Sequence, residues 1–502
     1  MEFDRRSFLK RAGTLAVGTA LGPIVLDSFT PFGSASGALA ATSLPLSGPL
    51  PLGTPVLVVI ELQGGNDSLN TVVPFNDSWY YDNSYGHGSL AISHASALPL
   101  AGTPFALHPS LPWLANRWGG VGDVGIVLGT GENVKNEFSH FAATMYRNAG
   151  DFSGSEPAGW LGRYNDQVAT GSPLASVSTN GLHQSLVGMQ TPVLAVDDVN
   201  AFNFSVDWHW SYAPKFLQAL SGMGLNDATA PGMAGLAATA VNNAFSAVNA
   251  VHAAYQPSFN NGVSSGSALD HQLAQAAMLI TAGLPSQTYV ASTSGYDTHG
   301  SQSWTHGDLL SKLNNALSKF FSLIDASNRK SDVFVLITSE FGRQVTANSS
   351  GGCDHGQASV NFLIGGGVSG GLYGMMPTLN PGGPTRPNRI NDAMIPTVDF
   401  RSVYATVLNR LGGDSNLTAT VLKGSFPDLG VFSGQPNPVP PVTTTTTAPG
   451  TTSTTSTTSP TSSTSSTSST STTAPMATTS TTSGDMVTTT TTAPMTTTTI
   501  RK

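Results

Sequence analysis

Cysteine is almost absent from these 502 residues: Cys353 stands alone, so no disulfide can form within the chain and stability must come from burial. Charge is scarce as well. Asp, Glu, Lys and Arg make up 10% of the sequence, against the roughly 25% usual for soluble domains, and Gly, Ser, Thr and Asn must cover the surface instead. Acidic side chains outnumber basic ones 29 to 21, a net charge of −8, which argues against nucleic acid or an anionic membrane surface as a partner. No uninterrupted apolar run is long enough to span a bilayer, which needs about 20 predominantly apolar residues. The glycine runs Gly64-Gly65 and Gly365-Gly366-Gly367 lack the spacing of a dinucleotide or phosphate-binding loop and read as tight turns.

What is present begins at the amino terminus. Asp4-Arg5-Arg6-Ser7-Phe8-Leu9-Lys10 sets an arginine pair before an uncharged run from Ala12 to Leu26, and Ala38-Leu39-Ala40 supplies a small-x-small cleavage site. Residues 1–40 therefore read as a twin-arginine signal peptide and 41–55 as a linker, and the protein is expected to be exported and to work outside the cytoplasm. At the other end, 436–502 become Thr and Ser with scattered Ala-Pro, without a charge between Val442 and Gly484. Such a composition cannot bury enough apolar area to offset its ordering entropy, so this segment reads as a disordered tail, with no transmembrane anchor evident.

Between them, 56–435 read as one large α/β domain. Short β-branched runs, Val56 to Ile60, Val124 to Leu128, Tyr289 to Ala291 and Val333 to Ile337, each end in a polar, glycine-bearing turn. Runs apolar on both faces suit strands of a mostly parallel sheet sandwiched by helices. Leu309, Leu310, Leu313, Ala316, Leu317, Phe320, Phe321 and Ile324 repeat at three and four, which predicts a helix entered through turn chemistry at Trp304-Thr305. Two further helices are expected over 268–282 and 234–254. In such folds ligands sit beyond the carboxyl ends of the strands, where the polar turns fall.

Those turns hold most of the metal-capable side chains: Asp67, then Asp297 with His299, then Glu340, then Asp354 with His355. Carboxylate and imidazole together suit zinc or manganese, and oxygen-only sites suit calcium. Ser139, following the second strand, is either a nucleophile deprotonated near metal or the cap of a helix over 141–147. His140 is a ligand, an acid or a packed ring. Arg343 and Arg163 either clamp an oxyanion or pair with carboxylates. An isolated Cys353 in a glycine loop reads as incidental.

Leu62 to Pro74 with its Gln63-Gly64-Gly65-Asn66-Asp67 core, Leu107-His108-Pro109, Ser139-His140-Phe141, Gly159 to Tyr164, Asp297-Thr298-His299-Gly300, Ser339-Glu340-Phe341-Gly342-Arg343 and Asp354-His355-Gly356 occur in one order. Together they resemble the family known as domain of unknown function 1501, itself similar to the alkaline phosphatase, sulfatase and cofactor-independent phosphoglycerate mutase superfamily. That resemblance implies an alkaline phosphatase-like core with one or two divalent ions at the strand ends and a Ser or Thr nucleophile opposite them. It matches Asp67 to the early metal carboxylate, Asp297 and His299 to the acid-plus-His pair, and His355 to the late His. One departure is plain: the superfamily's Asp-His after a central strand stands here as Glu340-Phe341, so an imidazole is missing. Two functions remain open, a metal-dependent hydrolase of phosphate or sulfate esters, on small molecules or glycans, and a non-catalytic exported binding or display protein with at most one structural metal.

Overall fold

The structure, a computed structural model, describes residues 49–132, 135, 137–169, 172–203, 212–227, 230–256, 266–386 and 392–432. The signal peptide, residues 41–48 of the linker and the whole tail read from the sequence lie outside these residues.

Among the described residues nine strands form one sheet: β1 (Val56–Gln63), β2 (Val124–Gly131), β3 (Ser176–Ser178), β4 (Leu194–Ala195), β5 (Thr288–Ser294), β6 (Val333–Thr338), β7 (Ser359–Gly365), β8 (Gly371–Gly374) and β9 (Val398–Asp399). Their order is β8-β2-β7-β6-β1-β5-β3-β4, with β9 also on β2. β1 pairs in parallel with both β5 and β6, whereas β7 runs against β6 and β2. β7 is thus the one reversed strand in a sheet that is otherwise parallel.

The strand sequences explain the sandwich. In β1, Val56, Val58, Ile60 and Leu62 enter one core with Leu310, Leu313, Leu317, Phe320, Phe321 and Ile324 of a helix at Gln302–Asp325. Leu57 and Val59, on the other face, enter a second core with Trp160, Leu161 and Tyr164 of the helix Trp160–Val168 and with Val403, Tyr404 and Val407 of the helix Phe400–Arg410. A strand buried on both faces has no polar alternation to show, which is why β1 reads as a continuous apolar run. Burial of each large aliphatic side chain here stabilises by roughly 1.5–3 kcal/mol, and Phe320→Ala would cost about 3–5 kcal/mol.

The helices follow the spacing read from the sequence, with one shift. Ala268–Thr281 begins with a capping box of Ser267 and Asp270, and Met233–Ala254 covers the small-residue repeat. The helix containing Leu310 starts at Gln302 rather than after Thr305, because its first turn is held from inside: Gln302 donates to Asp67 and His306 Nε2 lies 2.9 Å from Asn66 Oδ1. No helix among the described residues is long and apolar enough to cross a membrane.

Because β1, β5 and β6 are parallel, the turns after them open on one rim. β2 points the same way and leads toward a helix here called α1 (His140–Ala149). Reversed β7 has its amino end at that rim, Ser359 facing Thr130, so the residues just before it arrive there too.

Candidate functional site

Asp297 stands at the centre of this rim. Its turn follows β5, and Tyr296 N donates to Gln63 O at the end of β1 (3.2 Å). Gly64 permits the approach: its φ is +113°, and a Cβ there would fall 2.4 Å from Asp297 N. From the β7 side, residues 342–344 and 354–356 pair as a short antiparallel ribbon, Gln344 N donating to Asp354 O (2.9 Å) and Gly356 N to Gly342 O (2.8 Å). That ribbon delivers His355. The first turn of α1 delivers His140.

Three imidazoles surround Asp297 Oδ1: His299 Nε2 and His355 Nε2 at 3.1 Å, and His140 Nε2 at 3.3 Å. His299 Nε2 and His355 Nε2 are 2.9 Å from one another. One ligating atom from each of His140, Asp297 and His355 lies within 4.8 Å of the others.

The far side of each ring fixes its proton. His355 Nδ1 is 2.7 Å from Phe138 O, which can only accept, so Nδ1 carries the hydrogen. His299 Nδ1 is 2.8 Å from Asp354 Oδ1, and His140 Nδ1 is 2.7 Å from Glu340 Oε1. Hydrogen bonds from Asn348 and His299 lower the Asp354 pKa. Burial works to raise that of Glu340, but the His140 bond and backbone amides hold it below its ordinary value. Both carboxylates therefore accept. In the neutral rings all three Nε2 lone pairs face a carboxylate oxygen, and two of them face each other. Four acceptors in one place, with Arg343 Nη2 the one donor to Asp297 Oδ1 (2.6 Å) among the described residues, are an arrangement that a cation satisfies. His140 Nε2 is buried and makes no hydrogen bond.

Burial opposes ionisation of Asp297, yet the Arg343 guanidinium holds its carboxyl well below the usual range. The bond to Glu340 raises the His140 pKa, whereas burial lowers that of His355. Glu340 and Asp354, candidate ligands from the sequence, thus meet the Nδ1 atoms of His140 and His299 and orient those rings. At Phe341, where the resemblance leads one to expect an imidazole, the ring of His140 packs on the phenyl ring (centroids 4.8 Å apart).

Asp67 lies in a different group. It is 1% exposed and caps the single turn Ser68–Thr71, Oδ1 accepting from Leu69 N (3.0 Å) and Asn70 N (3.2 Å). Oδ2 accepts from Gln302 and meets His87 Nε2 at 2.9 Å, while His87 Nδ1 is 2.6 Å from Val345 O. Both His87 nitrogens face acceptors, so the ring is an imidazolium. Burial opposes that charge, but Asp67 raises the His87 pKa well above its ordinary value, and His87 in turn keeps Asp67 ionised. Cys353 Sγ, fully buried, is 4.0 Å from His87 Nε2. His87 has no signal in the sequence: it lies in an irregular Tyr-Gly-His-Gly stretch with no periodicity and no neighbouring acid.

The remaining candidates divide. Ser139 occupies the cap position of α1 but its side chain makes no capping bond; it is exposed, and its amide donates to Glu137 Oε1 (2.8 Å). Arg343 is 1% exposed and committed to protein acceptors, Gly64 O, Gly65 O, Tyr296 O, Cys353 O and Asp297, which makes it a brace of the site. Arg163 likewise donates to Ala149 O, Ala158 O and Val421 O. Beside the cluster opens a cleft of about 780 Å³ whose walls include His140, Asp297 and Glu340 together with Gln63, Phe141 and Asn148.

Comparison with curated proteins gives no match. Among solved structures, the chain is similar to the PsFucS1 sulfatase from Pseudoalteromonas sp. (10% identity, 75% of this chain and 71% of that one, TM-score 0.34). It is also similar to a protein of the alkaline phosphatase superfamily from Vibrio parahaemolyticus (12%, 85% and 79%, TM-score 0.30) and to alkaline phosphatase from the Antarctic bacterium TAB5 (10%, 64% and 95%, TM-score 0.28). The family model described as protein of unknown function DUF1501 matches residues 55–428, nearly the whole body, and the chain belongs to that family.

Proposed function

We propose that this protein is an exported, metal-dependent hydrolase of phosphate or sulfate esters. The observation that carries the reading is the convergence of the His140, His299 and His355 Nε2 lone pairs on Asp297 Oδ1, each ring oriented by an acceptor behind it. Imidazole with carboxylate is a donor set for zinc or a similar divalent ion, and outer partners of this kind fix the ring and raise its basicity. Asp297, His140, His299 and His355 would hold the ion; Glu340, Asp354 and Phe138 O would aim the rings; Arg343 would keep Asp297 ionised. Such an ion polarises an ester oxygen and lowers the pKa of a nearby hydroxyl or water. Ser139, exposed and next to His140, is the side chain we assign as nucleophile. Export by the twin-arginine route, read from Arg5 and Arg6, would allow the protein to load its ion before crossing.

The test is elemental analysis of the purified protein joined to an ester panel. Bound divalent metal, with hydrolysis lost in Ser139→Ala while metal and fold are kept, supports the reading. A metal-loaded protein inert toward both phosphate and sulfate esters would instead favour the non-catalytic display protein.

A further inference from the structure

The charge around the cluster and along the cleft speaks to the substrate. This step rests on the hydrolase reading. Around Asp297 the side chains bring three carboxylates, Asp297, Glu340 and Asp354, against the guanidinium of Arg343; the buried Arg147, which donates to Glu340 O (3.1 Å), is itself faced by Asp399 and Glu132. A divalent ion would bring that set to neutrality. Among the described residues no lysine or arginine lines the cleft, and half-buried Glu156, its remaining charged residue, pairs with Arg163 and Lys423 behind it. Arg343 itself is occupied by backbone carbonyls and Asp297 and has no exposed edge to offer.

A phosphate monoester carries about 1.5–2 negative charges at neutral pH, since its second pKa is near 6. A sulfate ester or a phosphodiester carries one. A neutral centre in a cleft without cations pairs poorly with the second charge of the monoester.

The rest of the cleft is uncharged but not apolar. Gln63, Thr144, Asn148 and Gln184 offer amides and hydroxyls, each both donor and acceptor, and Phe141 presents its ring at 81% exposure one residue from His140. An exposed aromatic ring has an apolar face for the C–H face of a ring-shaped polyol, while amides meet its hydroxyls. The volume, about 780 Å³, exceeds what a sulfate or phosphate group requires and leaves room for a body attached to it. We propose that the cleft selects a singly charged ester carried on a neutral polyhydroxylated body.

Two measurements on the full-length, metal-loaded protein test this. The first compares 4-nitrophenyl sulfate, methyl 4-nitrophenyl phosphate and 4-nitrophenyl phosphate, which share a leaving group. One of the two singly charged esters is expected to exceed the phosphate monoester in kcat/KM by roughly a hundredfold, the scale of an uncompensated charge in a binding site, and whichever leads names the acid. A preference for the monoester overturns the inference while leaving the hydrolase reading intact. Hydrolysis of none of the three defeats the hydrolase reading and the charge selection with it. The second measurement is calorimetric binding of maltotetraose, which needs no turnover. Wild type should bind, Phe141→Ala should bind about tenfold more weakly, and Phe141→Tyr should restore affinity. No binding by wild type, or equal binding by all three proteins, overturns the polyol subsite.

Discussion

Two groups of histidine and aspartate side chains differ in what they ask for. Asp67, His87 and Cys353 are fully buried, and His140, Asp297 and His355 with His299 lie at the rim. In the first, both ring nitrogens of His87 face acceptors, so the imidazolium is itself the cation that Asp67 requires. In the second, each ring spends its proton on the acceptor behind it and turns a lone pair inward. Residue type does not separate these groups. Hydrogen bonding on the far side of the ring does, because it decides whether a histidine arrives as donor or as ligand.

The sharpest way to break that comparison is His355→Ala. Removing an inward lone pair from the rim is expected to lose bound metal and, with it, ester hydrolysis by several orders of magnitude, measured by elemental analysis and single-turnover assays. Full metal content in this variant would show that the rim is not the ion's site.

Asp67→Asn addresses the buried group. A charge left behind in the core costs roughly 3–5 kcal/mol, so the urea midpoint should fall whether or not metal is added. Were Asp67 a ligand, as the sequence resemblance implied, the loss would appear only with metal present.

Weaker effects should come from the carboxylates behind the rings. Asp354→Asn is expected to reduce metal affinity by about 10- to 100-fold, since outer partners tune ligands without replacing them. An effect as large as that of His355→Ala would make Asp354 a ligand.

Acid should destabilise the metal-free protein through buried histidine. Burial pushes His306 down to about 4, below its value near 6.5 when unfolded. The stability this neutral ring confers is complete above pH 6.5 and falls between 6.5 and 4, by about 1.4 kcal/mol per pH unit for one group. His306→Asn should flatten that slope in urea melts across the range; an unchanged slope would assign it elsewhere.

Smallest of all is the effect of Ser139→Ala on folding. An ordinary cap substitution costs about 1 kcal/mol, but Ser139 makes no capping bond, so its thermal midpoint should shift by less than about 0.5 kcal/mol would produce. A full capping loss would argue that the hydroxyl serves the helix rather than the reaction.

The sequence by itself determined the strands and the rim. Val56–Gln63 and Val333–Thr338 are apolar on both faces because they are buried on both, and the turns that follow them must then open at one edge of a parallel sheet. It also picked out Asp297, His299 and His355, which the structure brings together. Tertiary structure alone decided the partners. Glu340 and His140 are 200 positions apart and meet because β2 and β6 flank reversed β7 and end on the same rim. His140 of α1 packs on Phe341, and nothing in local spacing announces that meeting. His87 owes its role to the tertiary fold, which turns Asp67 inward to meet it. Local pattern fixes which residues reach an edge; whether a histidine there gives a proton or a lone pair depends on an acceptor that another part of the chain brings to its far side.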